Sequence, residues 1–257
     1  MTDGRFKDKI VFVTGSGRGF GAVLADAFAK EGAHLVIHYN SSGKGAEEVA
    51  TSVRAMGRRA LVVQGDISSL DDVRRITAAA CDEFGKIDIL VNNVGDMALD
   101  QVSWREMDEK VVDHTLAVDI KGTMFMIHEV GLRMLDTGGG SIVNIGSQVV
   151  IAGSPRAPQY AAAKYGVIGL TKSYARALAP SIRVNTLGAA FMETEALKNR
   201  HDWKNGRREE VLRQTPLGRI ASPEDMVGPT LFLASEESRH MTGQFLLCNG
   251  GLAMVGA

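Results

Sequence analysis

The sequence predicts a single α/β domain, residues 1–257, built on a doubly wound parallel sheet with helices on both faces. Short apolar runs alternate with segments of helical period along the whole chain. The strand-like runs are apolar almost continuously, as a parallel sheet covered by helices requires, whereas a half-exposed strand would alternate. A chain of this length can form one domain, and neither a linker nor an internal repeat interrupts the alternation.

The elements follow from these periods in chain order. The first strand, 9–14, is rich in β-branched residues, and the first helix, 20–30, repeats apolar residues at helical spacing. Further strands are predicted at 33–39, 59–64, 87–92, 140–147, 182–187 and 244–248. Further helices are predicted at 45–56, 70–84, 107–135, 160–178 and 223–234, the last with Ser222 as N-cap and Pro223 in its first turn. The irregular, polar stretch 188–218 is predicted to form a substrate lid.

The charge balance and the cysteines argue against several classes of protein. The chain has 29 basic and 30 acidic residues and so lacks the basic excess that attracts nucleic acid or anionic membranes; neither partner is predicted. Cys81 and Cys248 are too few for a disulfide framework or a zinc site, and no metal is expected. Since neither a signal peptide nor an apolar run of membrane-spanning length is apparent, a cytoplasmic location is predicted.

A glycine-rich turn joins the first predicted strand to the first helix. Glycine lets the backbone approach a pyrophosphate closely, and the helix N-terminus supplies free N–H groups and a positive dipole end. A strand before the turn and an amphipathic helix after it favour a dinucleotide fingerprint over an ordinary tight turn. The predicted cofactor-binding residues of this turn are Gly15, Ser16, Arg18, Gly19, Phe20 and Gly21.

The end of the second predicted strand bears on the choice of cofactor. Many NAD-binding proteins place an acidic residue there for the adenosine ribose, and this sequence has none. Arg18 together with Asn40, Ser41 and Ser42 instead offers charged and polar donors that suit a 2′-phosphate. NADP(H) is therefore the predicted cofactor, and NAD(H) is the alternative should Arg18 be merely solvated.

Three residues are candidates for proton transfer. Tyr160 and Lys164 lie four residues apart at the start of a predicted helix and so share one face. A neighbouring ammonium lowers the pKa of a tyrosine from its usual value of about 10. Tyr160 can then give a proton to a carbonyl oxygen as hydride arrives, or remove one from an alcohol. Ser147 ends the fifth strand on the ligand-binding edge of the sheet, where its hydroxyl can hold the substrate oxygen.

Together these motifs resemble the short-chain dehydrogenase/reductase family, over essentially the full length of the chain. The resemblance is strongest to 3-oxoacyl-(acyl-carrier-protein) reductases and related NADPH carbonyl reductases. The matching segments are 14–21, 65–67, 92–95, 160–164, 183–185, 216–219 and 249–251, together with Ser147. The resemblance implies a Rossmann-like fold, a homotetramer, and an oxidoreductase that transfers a hydride between NADP(H) and a carbonyl or secondary alcohol substrate.

The resemblance also implies cofactor-binding residues beyond the glycine turn. It places two residues near adenine, others beside the adenosine ribose, and one near the nicotinamide carboxamide. The catalytic tyrosine and lysine are included, because the lysine also bonds the nicotinamide ribose. In that order the implied residues are Asp66 and Ile67, then Asn92 and Gly95, then Thr194, with Tyr160 and Lys164.

The chain departs from the family pattern at three places. Val94 stands where alanine is usual, and Ala189-Ala190 replaces a proline-glycine pair against the nicotinamide. Asp119 stands where the family usually has an asparagine on the long helix, and it is a fourth catalytic candidate. A charged aspartate there would stabilise the Lys164 ammonium from a distance. We therefore expect the same reaction class as in the family. The proton path that involves Lys164 and the residues that line the nicotinamide should differ from the family pattern.

Other chemistries leave weaker signals. The sequence has neither a Gly-x-Ser-x-Gly elbow nor a P-loop, which argues against a hydrolase or a kinase. His34 and His38 share one face of a strand without a metal-ligand partner, which favours a structural role.

Two alternative functions stay open. Tyr165 and Lys172 have the spacing of an enoyl reductase, although the lysine that matches the family's catalytic one is Lys164. A catalytically idle dinucleotide-binding scaffold or sensor is the alternative from another class. Within the enzyme class the substrate stays open between an acyl-carrier thioester and a small-molecule alcohol or ketone.

Overall fold

The structure, a computed structural model, describes residues 4–96 and 103–254. Its strands are β1 Ile10–Val13, β2 His34–Tyr39, β3 Ala60–Gln64, β4 Ile89–Asn92, β5 Gly140–Ser147, β6 Ile182–Ala189 and β7 Phe245–Cys248. Within the described residues they form one parallel sheet in the order β3-β2-β1-β4-β5-β6-β7. The predicted doubly wound parallel sheet is confirmed. The strand order reverses between β1 and β4, which opens a crevice at their carboxyl ends.

Helices cover both faces of the sheet. Successive strand residues point to opposite sides, so each strand contributes side chains to both helical layers. Val11 and Val13 of β1 belong to one apolar core, whereas Ile10 and Phe12 belong to a second core on the other face of the sheet. No helix in the described part of the chain has the length and apolarity needed to cross a bilayer. The helices are α1 Gly19–Lys30, α2 Gly43–Ala55, α3 Leu70–Phe84, α4 Glu109–Leu116, α5 Thr123–Asp136, α6 Val149–Ala152, α7 Pro158–Ala177, α8 Glu195–Lys198, α9 Arg208–Gln214 and α10 Val227–Ala234.

The segment predicted to be helical over 107–135 is helical from Glu109 to Asp136, but its winding is not uniform. A wider π-helical turn, Ala117–Gly122, separates α4 from α5. Within it the buried Asp119 carboxylate accepts a hydrogen bond from the Asp96 N–H at 2.8 Å. At its end Gly122 packs so closely that a Cβ there would lie 2.8 Å from the Ile67 side chain. Apolar periodicity does not reveal such a turn, since one wide turn barely displaces the helical pattern.

The stretch 188–218, predicted as a lid, is partly regular. Strand β6 continues to Ala189, and α8 and α9 follow, separated by a kinked turn at Trp203–Arg207. Leu197, Trp203 and Val211 pack into a small cluster separate from the two sheet cores. The stretch therefore has a core of its own, and its closure over a substrate stays a prediction.

Candidate active site

A glycine turn leads from the carboxyl end of β1 into α1. Gly15 has a φ of +65°, a conformation that glycine adopts without strain. A Cβ on Gly21 would lie 2.4 Å from the Gly15 carbonyl oxygen, so only glycine allows this close approach. Helix α1 begins at Gly19, and its N-cap residue Arg18 makes no side-chain capping bond in the described chain. The first N–H groups of α1 are therefore available to an anion.

Hydrogen bonds fasten the glycine turn to the neighbouring strands. The Thr14 hydroxyl accepts from the Asn93 N–H at 2.9 Å, and the Asn93 amide donates to the Thr14 carbonyl at 3.0 Å. The Ser16 hydroxyl donates to a carbonyl of β1 at 2.8 Å and accepts from the His38 N–H at 3.0 Å. Phe20 has its side chain in the core. Ser16 and Phe20, both predicted to bind the cofactor, therefore have mainly backbone groups to offer it.

The loop after β2 lies against the glycine turn. A Cβ on Gly17 would lie 2.6 Å from the Ser42 hydroxyl oxygen, so the two loops touch. Arg18, Asn40 and Ser41 are exposed next to this contact. The structure thus places in contact the two loops that carry the four residues predicted to recognise a 2′-phosphate.

Other predicted cofactor residues follow β3 and β4 at the same edge of the sheet. The Asp66 carboxylate accepts from the N–H and the hydroxyl of Ser68, at 2.8 Å each, and so is used within its own loop. Ile67 is buried against the π-helical turn. Asn92 donates to Asn144 at 2.9 Å, while its buried Oδ1 has no hydrogen-bond partner in the described structure.

Thr194 follows β6 and immediately precedes α8. Its hydroxyl accepts from the Leu197 N–H at 3.3 Å and thereby caps α8. The structure gives Thr194 this capping contact, and its approach to a carboxamide stays a prediction.

The three predicted proton-transfer residues meet at the ends of β5 and α7. Ser147 is the last residue of β5, and its hydroxyl accepts from the Val149 N–H at 3.2 Å. Tyr160 lies in the first turn of α7, and the Lys164 Nζ is 5.6 Å from the centre of its ring. Lys164 is buried and also donates to the Ile145 carbonyl at 3.4 Å. Their spacing along the chain therefore becomes proximity in space.

The environment of Tyr160 acts on its pKa in both directions. Burial raises the pKa most, and the Lys164 ammonium lowers it. The Asp119 and Asp96 carboxylates raise it, whereas hydrogen bonding from Ser147 lowers it. The net direction is upward, so Tyr160 holds its proton at neutral pH.

Asp119 contacts Lys164 directly, rather than from the distance expected from the sequence. The Asp119 Oδ2 lies 3.6 Å from the Lys164 Nζ and, among the described residues, makes no hydrogen bond. Gly95 leaves room for this pair, since a Cβ there would lie 2.8 Å from the Lys164 Nζ and 3.0 Å from the Asp119 Oδ1. A fully buried carboxyl therefore lies beside the Lys164 ammonium, at the position where the resemblance implies an asparagine.

Burial and charge oppose each other in this pair. Burial is the largest single influence and lowers the pKa of Lys164, but Asp119, Tyr160 and Asp96 together outweigh it, and the net direction is upward. Burial raises the pKa of Asp119, while Lys164 and the Asp96 N–H lower it, and the net direction is upward. Lys164 is therefore an ammonium throughout the neutral range.

Three residues without a predicted site role hold the predicted ones in place. Asn93 fastens the glycine turn, His38 accepts from the Gly15 N–H at 3.0 Å, and the Asp96 N–H holds Asp119. Asn93 lies within a segment that resembles the family. The contacts of His38 and Asp96 each span 23 residues of sequence, so no local pattern reveals them.

The site has the features that a nicotinamide dinucleotide requires. The start of α1 has no side-chain cap in the described chain, and a Cβ on Gly19 would meet nothing within 4 Å. The Asn92 Oδ1 is a buried acceptor without a hydrogen-bond donor among the described residues. The pyrophosphate would be held by the glycine turn, and the ribose hydroxyls by Asn92 and Lys164.

The spacing typical of enoyl reductases does not occur in this cleft. Tyr165 is 57% exposed and Lys172 is also exposed, both on the outer side of α7. The tyrosine and lysine that meet Ser147 are Tyr160 and Lys164.

Comparison with known proteins gives consistent likenesses. A family model described as Enoyl-(Acyl carrier protein) reductase matches residues 15–253. L-rhamnose 1-dehydrogenase (NAD(P)(+)) of Azotobacter vinelandii is 35% identical over 251 residues, which cover 95% of this chain and 96% of the relative. The 3-oxoacyl-(acyl-carrier-protein) reductase of Staphylococcus aureus strain Mu50 is 34% identical over 247 residues, 96% of this chain and 98% of the relative. A crystal structure from Sinorhizobium meliloti 1021, described as a short-chain alcohol dehydrogenase, has a TM-score of 0.89 at 29% identity and covers 96% of this chain and 98% of its own.

Proposed function

Because the chain belongs to the short-chain dehydrogenase/reductase family of oxidoreductases, we propose that it transfers a hydride between NADP(H) and a carbonyl or secondary alcohol substrate. One observation carries the proposal: Tyr160, Lys164 and Ser147 lie beside the glycine turn. The loop 93–95 connects the two, since its first residues bond Thr14 and Gly95 lies against Lys164. A cofactor held by the turn would therefore reach the proton-transfer residues.

The residues of the chain supply proton transfer and orientation, and the bound cofactor supplies or accepts the hydride. In reduction the Tyr160 hydroxyl gives its proton to the carbonyl oxygen, and in oxidation its phenolate removes the proton of the alcohol. The Ser147 hydroxyl holds the substrate oxygen next to Tyr160. The Lys164 ammonium favours the phenolate and so counteracts the burial that raises the pKa of Tyr160.

NADP(H) is the proposed cofactor in preference to NAD(H). Arg18, Asn40 and Ser41 are exposed around the contact between the glycine turn and the loop after β2, where donors can surround a 2′-phosphate. The A. vinelandii relative is named for both cofactor forms, so NAD(H) is the natural comparison.

The two named relatives suggest different substrate classes, a sugar and a 3-oxoacyl group on a carrier protein. A screen of NADPH and NADH oxidation over acyl thioesters, cyclic ketones and sugars, with the alcohols run in reverse, distinguishes them. Turnover of a ketone or alcohol supports the proposal. Turnover of enoyl thioesters alone would replace it with an enoyl reductase.

Asp119 is the observation that favours a second candidate, a dinucleotide-binding scaffold without catalysis. A buried carboxyl 3.6 Å from Lys164 alters the residue on which the catalytic tyrosine depends. Binding of NADPH without cofactor-dependent turnover of any substrate would support this candidate. Enzymatic turnover of a ketone would eliminate it.

Assembly into a homo-oligomer, with a tetramer expected from the family, is part of the proposal. Met124, Leu132 and Leu135 of α5 and Tyr165 of α7 are large apolar side chains that are 38% to 57% exposed. Their burial between copies of the chain would remove apolar surface from water. Light scattering coupled to size exclusion measures the assembly, and a monomer at micromolar concentration would contradict it.

A further inference from the structure

His38, a buried histidine of β2, joins two loops of the cofactor site. Its Nδ1 accepts from the Gly15 N–H at 3.0 Å, and its Nε2 bonds the Gly65 carbonyl at 2.9 Å. Gly15 belongs to the glycine turn, and Gly65 opens the loop that carries Asp66 and Ile67. The imidazole is 1% exposed and therefore lies behind both loops rather than in the cleft.

These two partners determine the tautomer of the ring. The Gly15 N–H can only donate, so Nδ1 carries no proton, and the Gly65 carbonyl can only accept, so Nε2 carries one. A protonated imidazolium would direct an Nδ1–H at the Gly15 N–H, two donors 3.0 Å apart. Only the neutral ring satisfies both loops.

We propose that His38 is a positioning residue of the dinucleotide site, whose neutral imidazole fixes the glycine turn to the loop after β3. This inference rests on the proposed cofactor binding and goes beyond it. The glycine turn would hold the pyrophosphate and the loop after β3 would lie near the adenine, so one ring sets the distance between the two. Protonation of the ring breaks its bond to Gly15 and weakens binding of the whole dinucleotide.

The groups around His38 favour the neutral ring at neutral pH. Burial lowers the pKa of His38, and this effect exceeds the opposing influence of the Gly65 carbonyl and of the Asp66 and Asp72 carboxylates. Asp72 is itself paired with Arg75 on α3. In the described part of the chain, the other side chains that form a ring contact or a hydrogen bond with His38 are the Phe12 ring of β1, 6.3 Å away, and the Ser16 hydroxyl, both uncharged.

The chain offers a matched control in His34. His34 lies at the opposite end of β2, where its Nδ1 accepts from the Arg59 N–H at 2.9 Å, far from the glycine turn. His34→Leu therefore removes a comparable imidazole contact from the same strand without touching the cofactor site.

The test measures Kd for NADPH and for NADH by calorimetry, with thermal unfolding recorded for each variant. His38→Leu removes both bonds and should raise both Kd values about tenfold. His38→Asn places its amide oxygen near the position of Nδ1 but loses the bond to Gly65, and should raise both Kd values by about threefold, between the parent and His38→Leu. His34→Leu should leave both Kd values unchanged. Equal weakening by His34→Leu and His38→Leu, or a folded His38→Leu that binds like the parent, would overturn the proposal.

A pH series gives a readout that a purely structural role would not change. As the pH is lowered from about 7.5 toward the acid limit of the folded protein, the parent should lose affinity relative to His38→Asn. The loss should begin below the pH at which an ordinary histidine titrates, because burial lowers the pKa of His38. NADH should show the same loss, which separates the ring from titration of the 2′-phosphate. A parent that parallels His38→Asn, or binds more tightly in acid, contradicts the proposal. A parent that binds neither cofactor at any pH would remove the proposed function as well, whereas tight binding insensitive to His38 removes this inference alone.

Discussion

Replacing Asp119 with asparagine should shift the pH profile of the enzyme without abolishing its activity. Two unit charges 3.6 Å apart interact by about 4 to 5 kcal/mol at an effective dielectric constant of 20, before desolvation offsets much of it. Loss of an opposite charge at this range lowers the pKa of an ammonium. The Asp119 carboxylate helps to hold the pKa of Lys164 above its ordinary value in the parent, so the substitution should lower that pKa.

The effect on Tyr160 has a definite sign. The Asp119 carboxylate raises the pKa of Tyr160, and its removal leaves the Lys164 ammonium less opposed. The pKa of Tyr160 should therefore fall. Alcohol oxidation needs the phenolate, so its rising limb should move to lower pH. Ketone reduction needs the phenol, so its falling limb should move in the same direction.

The assay is kcat/KM against pH in both directions, followed by the absorbance of the reduced nicotinamide. Asp113→Asn is the matched control, because Asp113 is an exposed carboxylate on the adjoining α4 and its removal changes net charge equally. Profiles of Asp119→Asn that coincide with the parent in both directions would refute the reasoning. A rise in turnover by several orders of magnitude would mean that Asp119 suppresses catalysis in the natural chain. The dinucleotide-binding scaffold without catalysis would then be favoured.

Three further predictions test the site and the fold. Tyr160→Phe should lower kcat by at least about 100-fold yet leave Kd for NADPH nearly unchanged, as steady-state kinetics and calorimetry would measure; comparable turnover would contradict the assignment. Arg18→Ala should raise KM for NADPH about tenfold and leave KM for NADH unchanged, and equal effects or a parent that prefers NADH would disprove 2′-phosphate recognition. Hydrogen bonding from Arg219 lowers the pKa of Asp225 to about 2 from 3.8; this stabilises the fold above about pH 4 and the benefit is lost as pH falls toward 2. Urea unfolding of Arg219→Met should show a shallower loss of stability across that interval than the parent.

The sequence was sufficient for the sheet because each buried strand is a continuous apolar run bounded by polar turns. It was also sufficient to locate Tyr160, Lys164 and Ser147, since their spacing places them on one helix face and at one strand end. It did not show the π-helical winding at Ala117–Gly122, nor the hydrogen bond from the Asp96 N–H to Asp119 within it. Contacts between distant segments are invisible to patterns read along the chain.

His38 illustrates the same limit at the level of a single residue. A histidine within a strand has no local feature that distinguishes a ring in the core from one that supports a binding loop. Its assignment as structural is compatible with the contacts, yet those contacts reach Gly15 and Gly65 on two separate loops. The distinction depends on which backbone groups the fold brings to the ring.

The exposure of Arg18, Asn40 and Ser41 separates cofactor preference from the integrity of the fold. The turn behind them tolerates little change, since Ser16 bonds two strands and Gly21 has no space for a Cβ. Substitutions at the three exposed positions alter none of those contacts, and surface changes of this kind usually affect stability by less than about 0.5 kcal/mol. A library confined to them should therefore yield NAD-preferring and NADP-preferring descendants of this chain that melt at nearly the same temperature. In evolution, substitutions at the same three positions could likewise change the cofactor preference of this chain without changing its fold.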